Sequence, residues 1–444
     1  MRDSPVRHLA GTTAAPRIQR DRNFIERVSA YPGFRRALPV SLAIVCVLLF
    51  ASAADGQSRF ASKFSFGGFG TLGLIHSGER QADFVEDFTR ADGPGGSSAV
   101  NAGADTRIAG QATFLATSKL KFVLQVMVEQ DVEGEYMPHA EWANVSYALT
   151  PDFSIRGGRI VMPAFLVAAS RKVSFANPWV RPPVELYGML PVYSLDGVDA
   201  TWRTRLGEWT GSLNVAAGRT QSEFPIGSVD TDGLWHVNTT FVRGAITGRL
   251  ALTGATLRMD WMDELFNGFR AFGPQGQAIA DQFEIDGSAF RFATAAVEYD
   301  RGNWFTLAEL GWLETNSAFG DKLAGYVTAG VRQGPVTPYA TYSRATLLTE
   351  NSVDGLTVTS LPPEYAQAAA ALNAGLNDLL LGVPVQQTLA LGGRWDVATG
   401  IALKAQVDFI DRLGGSPGTF INPQPGFEPG GSARLISIAT VFVF

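Results

Sequence analysis

The chain has almost no cysteine. Cys46 is the single one among 444 residues, and it sits inside the apolar run from Ala37 to Phe50. A disulfide framework is excluded, and so are zinc or redox sites built from cysteine. Histidine is scarce too: after residue 53 only His76, His139 and His236 remain. Ser146 follows His139 by seven residues, and on a regular strand that places them on opposite faces. No nucleophile, base and orienting group come together in the sequence, so a hydrolase has little to stand on. The three histidines lack the paired spacing of a metal motif. The acidic clusters Glu86-Asp87 and Asp260-x-x-Asp263-Glu264 could hold Ca²⁺ at loop ends, but they lack EF-hand spacing and solvated loops are the preferred reading. No cofactor is implied. Beyond residue 53 there is no run of 18 apolar residues, so no transmembrane helix is expected. An excess of positive charge is missing as well. The chain carries 36 Lys+Arg and 42 Asp+Glu, net −6. Removing residues 1–53, with eight Arg and three acids, leaves 28 bases against 39 acids, net −11. That argues against a nucleic-acid partner.

What is present begins with an export pattern. Arg35-Arg36 precede the apolar run, and Ala51-Ser52-Ala53 follows it. Positive, apolar and small regions stand in the order of a secretory signal, with Ala54 as the expected first mature residue. The run is short for a membrane-spanning helix, and an uncleaved anchor is the alternative. Residues 1–53 are therefore read as an N-terminal extension and signal peptide, and residues 54–444 as one large domain. Glycine is abundant, at 48 residues, which suits tight turns and strongly curved strands.

Period-two alternation marks sixteen candidate strands: 64–76, 103–116, 118–130, 138–149, 151–161, 193–204, 208–219, 234–242, 245–261, 288–299, 303–315, 321–333, 336–347, 385–396, 400–412 and 433–444. The connections alternate. Gaps of one to three residues, such as Thr117, Thr150 and Arg243-Gly244, take turns with mostly longer gaps, such as 77–102, 162–192, 262–287 and 348–384. Short turns at one end and long loops at the other are the layout of a transmembrane β-barrel with short periplasmic turns and long outer loops. A soluble sandwich has no reason to keep its long loops together. Within strands, Leu120, Phe122, Leu124, Val126 and Val128 alternate with Lys119, Lys121, Gln125 and Glu129. Ile401, Leu403, Ala405, Val407 and Phe409 alternate with Lys404, Gln406 and Asp408. One face suits lipid and the other water, although a half-buried soluble sheet alternates in the same way. The fold class is thus all-β, a sixteen-stranded antiparallel transmembrane barrel. Residues 362–381 read as a helix inside the seventh outer loop, 348–384, with Ala366, Ala369, Ala370, Leu372, Leu376 and Leu379 on its apolar face.

The last strand stays apolar through Phe442 and Phe444. This ending resembles the C-terminal assembly signal of Gram-negative outer-membrane porins. A second resemblance lies in Gly158-Arg159 with Pro163-Ala164-Phe165, then Trp179-Val180-Arg181-Pro182-Pro183 and Tyr187-Gly188, similar to the entry into the third loop of anion-type porins. The family's Pro-Phe-Gly stands here as Pro163-Ala164-Phe165, and the second outer loop, 131–137, is short for a family that uses it as a trimer latch. The resemblance implies a homotrimer in the outer membrane, in contact with its lipid and lipopolysaccharide and inserted by the barrel-assembly machinery. It also implies a third loop, 162–192, folded into a water-filled lumen that passes small hydrophilic solutes passively.

In such a pore, charges at the constriction filter solutes. The expected lining comprises Arg171, Lys172, Arg181 and Glu185 on the third loop, with Arg156 and Arg159 just before it. On the wall it comprises Arg107, Lys119, Lys121, Arg332, Arg394 and Lys404, with Glu129, Glu309 and Asp408 opposite in sign. The local excess of base predicts a mild anion preference, since nearby charges dominate over distant ones across a Debye length of about 8–10 Å. A selective anion or nutrient channel and a closed structural or adhesive barrel are the other readings.

Overall fold

Alternation of outward aliphatic and inward polar residues is satisfied only if every strand has two neighbours and one face meets lipid. The structure, a computed structural model, describes residues 63–259, 261–359 and 361–444. The expected signal segment and its cleavage site lie outside them. Sixteen antiparallel strands close on themselves. They are β1 (Phe64–Ser77), β2 (Arg107–Leu115), β3 (Leu120–Gln130), β4 (Tyr136–Ala148), β5 (Phe153–Val161), β6 (Ser194–Leu206), β7 (Trp209–Arg219) and β8 (Gly227–Arg243). The second half comprises β9 (Ile246–Arg258), β10 (Ala289–Asp300), β11 (Trp304–Thr315), β12 (Lys322–Val331), β13 (Val336–Leu347), β14 (Gln386–Ala398), β15 (Ile401–Arg412) and β16 (Ser432–Val443). Each pairs with the next, and β16 pairs back onto β1 from Phe69↔Val443 to Ser77↔Leu435. No helix of the described residues is long and apolar enough to cross a membrane.

The seam shows why the terminal phenylalanines matter. The Phe444 N–H donates to the Gly68 carbonyl and the Gly68 N–H donates to the Phe444 carbonyl, at 3.0 and 2.9 Å. The Phe444 and Phe442 rings lie over Gly68 and Gly70, where a Cβ would fall 2.3 Å from each ring. Only glycine leaves that space. The chain is therefore hydrogen-bonded to its last residue, and the barrel has no open edge there.

The wall facing is the expected one. Leu124, Val126, Leu403 and Phe409 are exposed on the outside, while Gln125, Lys404, Gln406 and Asp408 are buried inside. Exposed Val198, Val215, Leu250, Val297, Leu310 and Val327 continue the apolar belt around the barrel. The short turns use left-handed glycines, such as Gly244 and Gly334 at φ 57° and 62°.

The long loops gather at the opposite end and carry the helices: α1 (Val184–Tyr187) in the third loop, α2 (Asp263–Arg270) and α3 (Gly273–Phe283) in the fifth, and α4 (Pro363–Leu381) in the seventh. The α4 helix matches the segment read from the sequence. Ala369, Leu376 and Leu380 face the core, whereas Ala370 is exposed. Asp263 and Glu264 open the first turn of α2, where acids offset the helix dipole; their clustering therefore needs no cation. The pair α2–α3 has no counterpart in the sequence reading, because its apolar positions fall in a window rich in glycine and polar residues.

Candidate functional site

The third loop, 162–193, leaves β5, crosses the lumen and returns to β6. Its backbone is pinned by wall side chains that reach inward. Arg249 on β9 donates to the Pro163 carbonyl (2.5 Å), and Thr294 on β10 to that of Ala164 (2.8 Å). Glu309 on β11 accepts the Leu166 N–H at 2.8 Å. Lys404 on β15 donates to the carbonyls of Ser174, Asn177 and Trp179. Arg394 on β14 reaches the Phe175 carbonyl. These wall groups thus satisfy loop backbone that has no secondary-structure partner.

The loop's own side chains close the network. The Trp179 indole N–H lies 3.0 Å from both the Thr328 and the Thr341 hydroxyl, and the ring is 1% exposed. Tyr187 donates to Glu309 at 2.9 Å and stacks on Phe165. Glu185 accepts from Ser343 (2.6 Å), Gln386 (2.7 Å) and Thr388. Phe165, Trp179, Leu186, Tyr187, Phe292 and Tyr326 share one apolar cluster inside the barrel. A loop with this much buried contact is a fixed partition across the lumen.

The bases predicted to make the constriction positive all have partners. Arg181 forms ion pairs with Asp105 (2.7 Å) and Asp408 (3.2 Å) and donates to the Ser437 hydroxyl at 2.7 Å. Lys172 sits between Glu129 (2.6 Å) and Glu141 (3.0 Å). Arg171 donates to the carbonyls of Tyr187 and Leu190 and lies over the Tyr193 ring. Arg107 pairs with Glu86 and Glu129, and Arg156 with Asp199 at 2.5 Å. The expected local excess of base is thus offset by Asp105, Asp408, Glu129 and Glu141. Burial alone would raise the Asp105 carboxyl, but Arg181 outweighs it and holds Asp105 below the usual carboxylate range. Asp87 is held low in the same way, its burial outweighed by Arg171 and by hydrogen bonds from Thr89 and Tyr193.

Several expected lining residues lie elsewhere. Arg159 pairs in register with Asp196 and, through it, with Arg219, on the face that carries Val198 and Val215. It therefore points outward near the outer rim, bonded to Asp196 at 2.7 Å. Its strand is regular, and the odd spacing of three from the inward Arg156 by itself puts Arg159 on the other face. Arg332 and Lys119 lie in periplasmic turns, Arg332 paired with Asp300 at 2.8 Å. Lys121, near the start of β3, is exposed at the same end.

His139 and Ser146 lie on the same face of β4, not on opposite faces. The register slips between Gln125↔Trp142 and Val126↔Ala140, leaving Glu141 as a bulge. The extra residue puts both side chains on the lumen face. They remain roughly 20 Å apart along the strand. The slip also gathers His139 with Glu129 and Glu141, a cluster that sequence spacing hides. The Lys172 ammonium occupies the cation position among these carboxylates. The third histidine, His236, is fully buried and bonded to Thr253 and Asn238.

No family model matches the sequence, and no curated protein matches it. Solved structures do. Salmonella typhi OmpF, in a complex with daunomycin, is 11% identical with a TM-score of 0.53, covering 86% of this chain and 97% of its own. A loop-L8 deletion mutant of OmpT, an outer membrane protein of Vibrio cholerae, is 9% identical with a TM-score of 0.50, covering 86% and 100%. The fold is that of the sixteen-stranded barrels of Gram-negative outer-membrane porins.

Proposed function

We propose that the protein is an outer-membrane channel of a Gram-negative cell, in which the third loop narrows the lumen to a selective passage for small solutes. The observation that carries this reading is the loop itself, bonded to wall strands from β9 to β15 and to β3 and β4 through Lys172. A wide, general pore would need a loop that leaves much of the cross-section to water. The apolar belt supports the membrane setting, since each outward aliphatic residue favours lipid. Transport is passive, and the corresponding assembly is a homotrimer, checked by cross-linking in mild detergent.

Single-channel recording in planar bilayers tests this reading. Small openings that saturate with solute are expected. Openings of general-porin size would refute the narrow passage, and silent barrels would favour a structural role. Leu124→Arg tests the setting: it should cost about 2–4 kcal/mol in bilayer folding if Leu124 faces the hydrocarbon.

A further inference from the structure

Above the third loop, the outer loops enclose a cavity of about 520 Å³, within the range of small-molecule sites. Its floor is the α1 segment of the third loop, and its walls come from the outer ends of β9–β14 and from the first and the fourth to eighth loops. Most of the lining is apolar, as at Met162, Leu190, Leu257, Phe290 and Leu313. Two bases reach it, Arg90 and Lys322. Arg90 is committed to Glu86 and Glu129, at 3.3 and 3.7 Å. Lys322 opens β12, paired in register with Leu313 and Leu347. Its ammonium has no hydrogen bond or ion pair to any described residue.

The acids around the cavity do not answer it. Glu86 is paired with Arg90 and Arg107. Asp87 is held by Thr89 and Tyr193, and Glu185 by the donors of β13 and β14. Asp378 lies on the exposed side of α4. An ammonium facing an apolar cavity without an acceptor is costly unless something supplies one. One positive charge in an apolar enclosure suits one negative charge on an apolar body. A phosphate dianion would call for several donors, and a cation would be repelled.

We infer that this vestibule binds amphipathic monocarboxylates, with the carboxylate on Lys322 and the chain or ring among the apolar loop side chains. As a substrate class this rests on the channel reading; as a binding site it does not.

The test uses the full chain in nanodiscs, with 4-phenylbutyrate and its neutral counterpart 4-phenylbutan-1-ol, by calorimetry. The carboxylate should bind at least ten-fold tighter than the alcohol. Lys322→Met should bring the carboxylate to the alcohol's affinity and leave the alcohol unchanged, and Lys322→Arg should restore the preference. Equal affinities in the unmodified protein, or undiminished carboxylate binding by a folded Lys322→Met barrel, would overturn the inference. Bilayer recording separates the two readings. Binding without current would refute the channel and support the site, and current without binding would do the reverse.

Discussion

The constriction and the vestibule treat charge in opposite ways. At the third loop, Arg181 and Lys172 are buried, and each touches two carboxylates. In the vestibule, Lys322 lines an apolar cavity, and no described carboxylate is bonded to it. The first arrangement holds a loop in place. Its charges answer one another and have little field left for a solute. The second leaves one charge unanswered, which is what a ligand site needs and a scaffold does not. On the proposed channel reading, selectivity is therefore sought in the vestibule, even though the constriction carries more charge.

Removing one base from each region tests the contrast. Arg181→Met strands Asp105 and Asp408 in a buried setting, and breaking a buried pair in this way costs about 3–5 kcal/mol. The expected result is a lower unfolding midpoint in urea and protease cleavage within 162–193. An unchanged midpoint would mean that the loop does not depend on this network.

Lys172→Met should cost less, about 1–3 kcal/mol, because Glu129 keeps Arg107 and Arg90 within 3.6 and 3.7 Å. A loss as large as that of Arg181→Met would show that Glu141, not Glu129, sets the cost.

Acid should act through the same groups. The folded-state pKa values of Asp105 and Asp87 are depressed. Their contribution is therefore complete above the unfolded carboxylate range and is lost as pH falls through the folded values. Protease resistance of the third loop should hold at pH 5 and weaken only in strongly acidic solution. Weakening already at pH 5–6 would contradict the ion-pair account.

The smallest effect is expected at Lys322. Lys322→Met breaks no pair, so the unfolding free energy from urea titration should stay within about 0.5 kcal/mol or rise. A loss comparable to Lys172→Met would mean that Lys322 has a structural partner, and the contrast between the two regions would fail.

The barrel was legible in the sequence because its determinants are local. Leu124 faces lipid and Gln125 the lumen simply because side chains alternate along a strand. The lengths of the connections then place turns and loops at opposite ends. Helix α4 was readable from Pro363 to Gly382 for the same reason: proline, alanine and leucine act within one turn of themselves. One local irregularity defeated the pattern: the bulge at Glu141 shifted the parity of His139 against Ser146. Arg159 needed no such irregularity, since three residues from the inward Arg156 on a regular strand already put it on the outer face.

The state of each charge was decided elsewhere. Arg181 meets Asp408 across 227 positions of sequence, and Trp179 meets Thr341 across 162. No spacing rule links such residues, because only barrel closure and the fold of the third loop bring them together. The sequence by itself therefore determined the wall, its facing and the position of the loop that enters it. Tertiary structure alone decided which bases are neutralised and that Lys322 is not, since a charge's effect depends on what lies within a few ångströms of it.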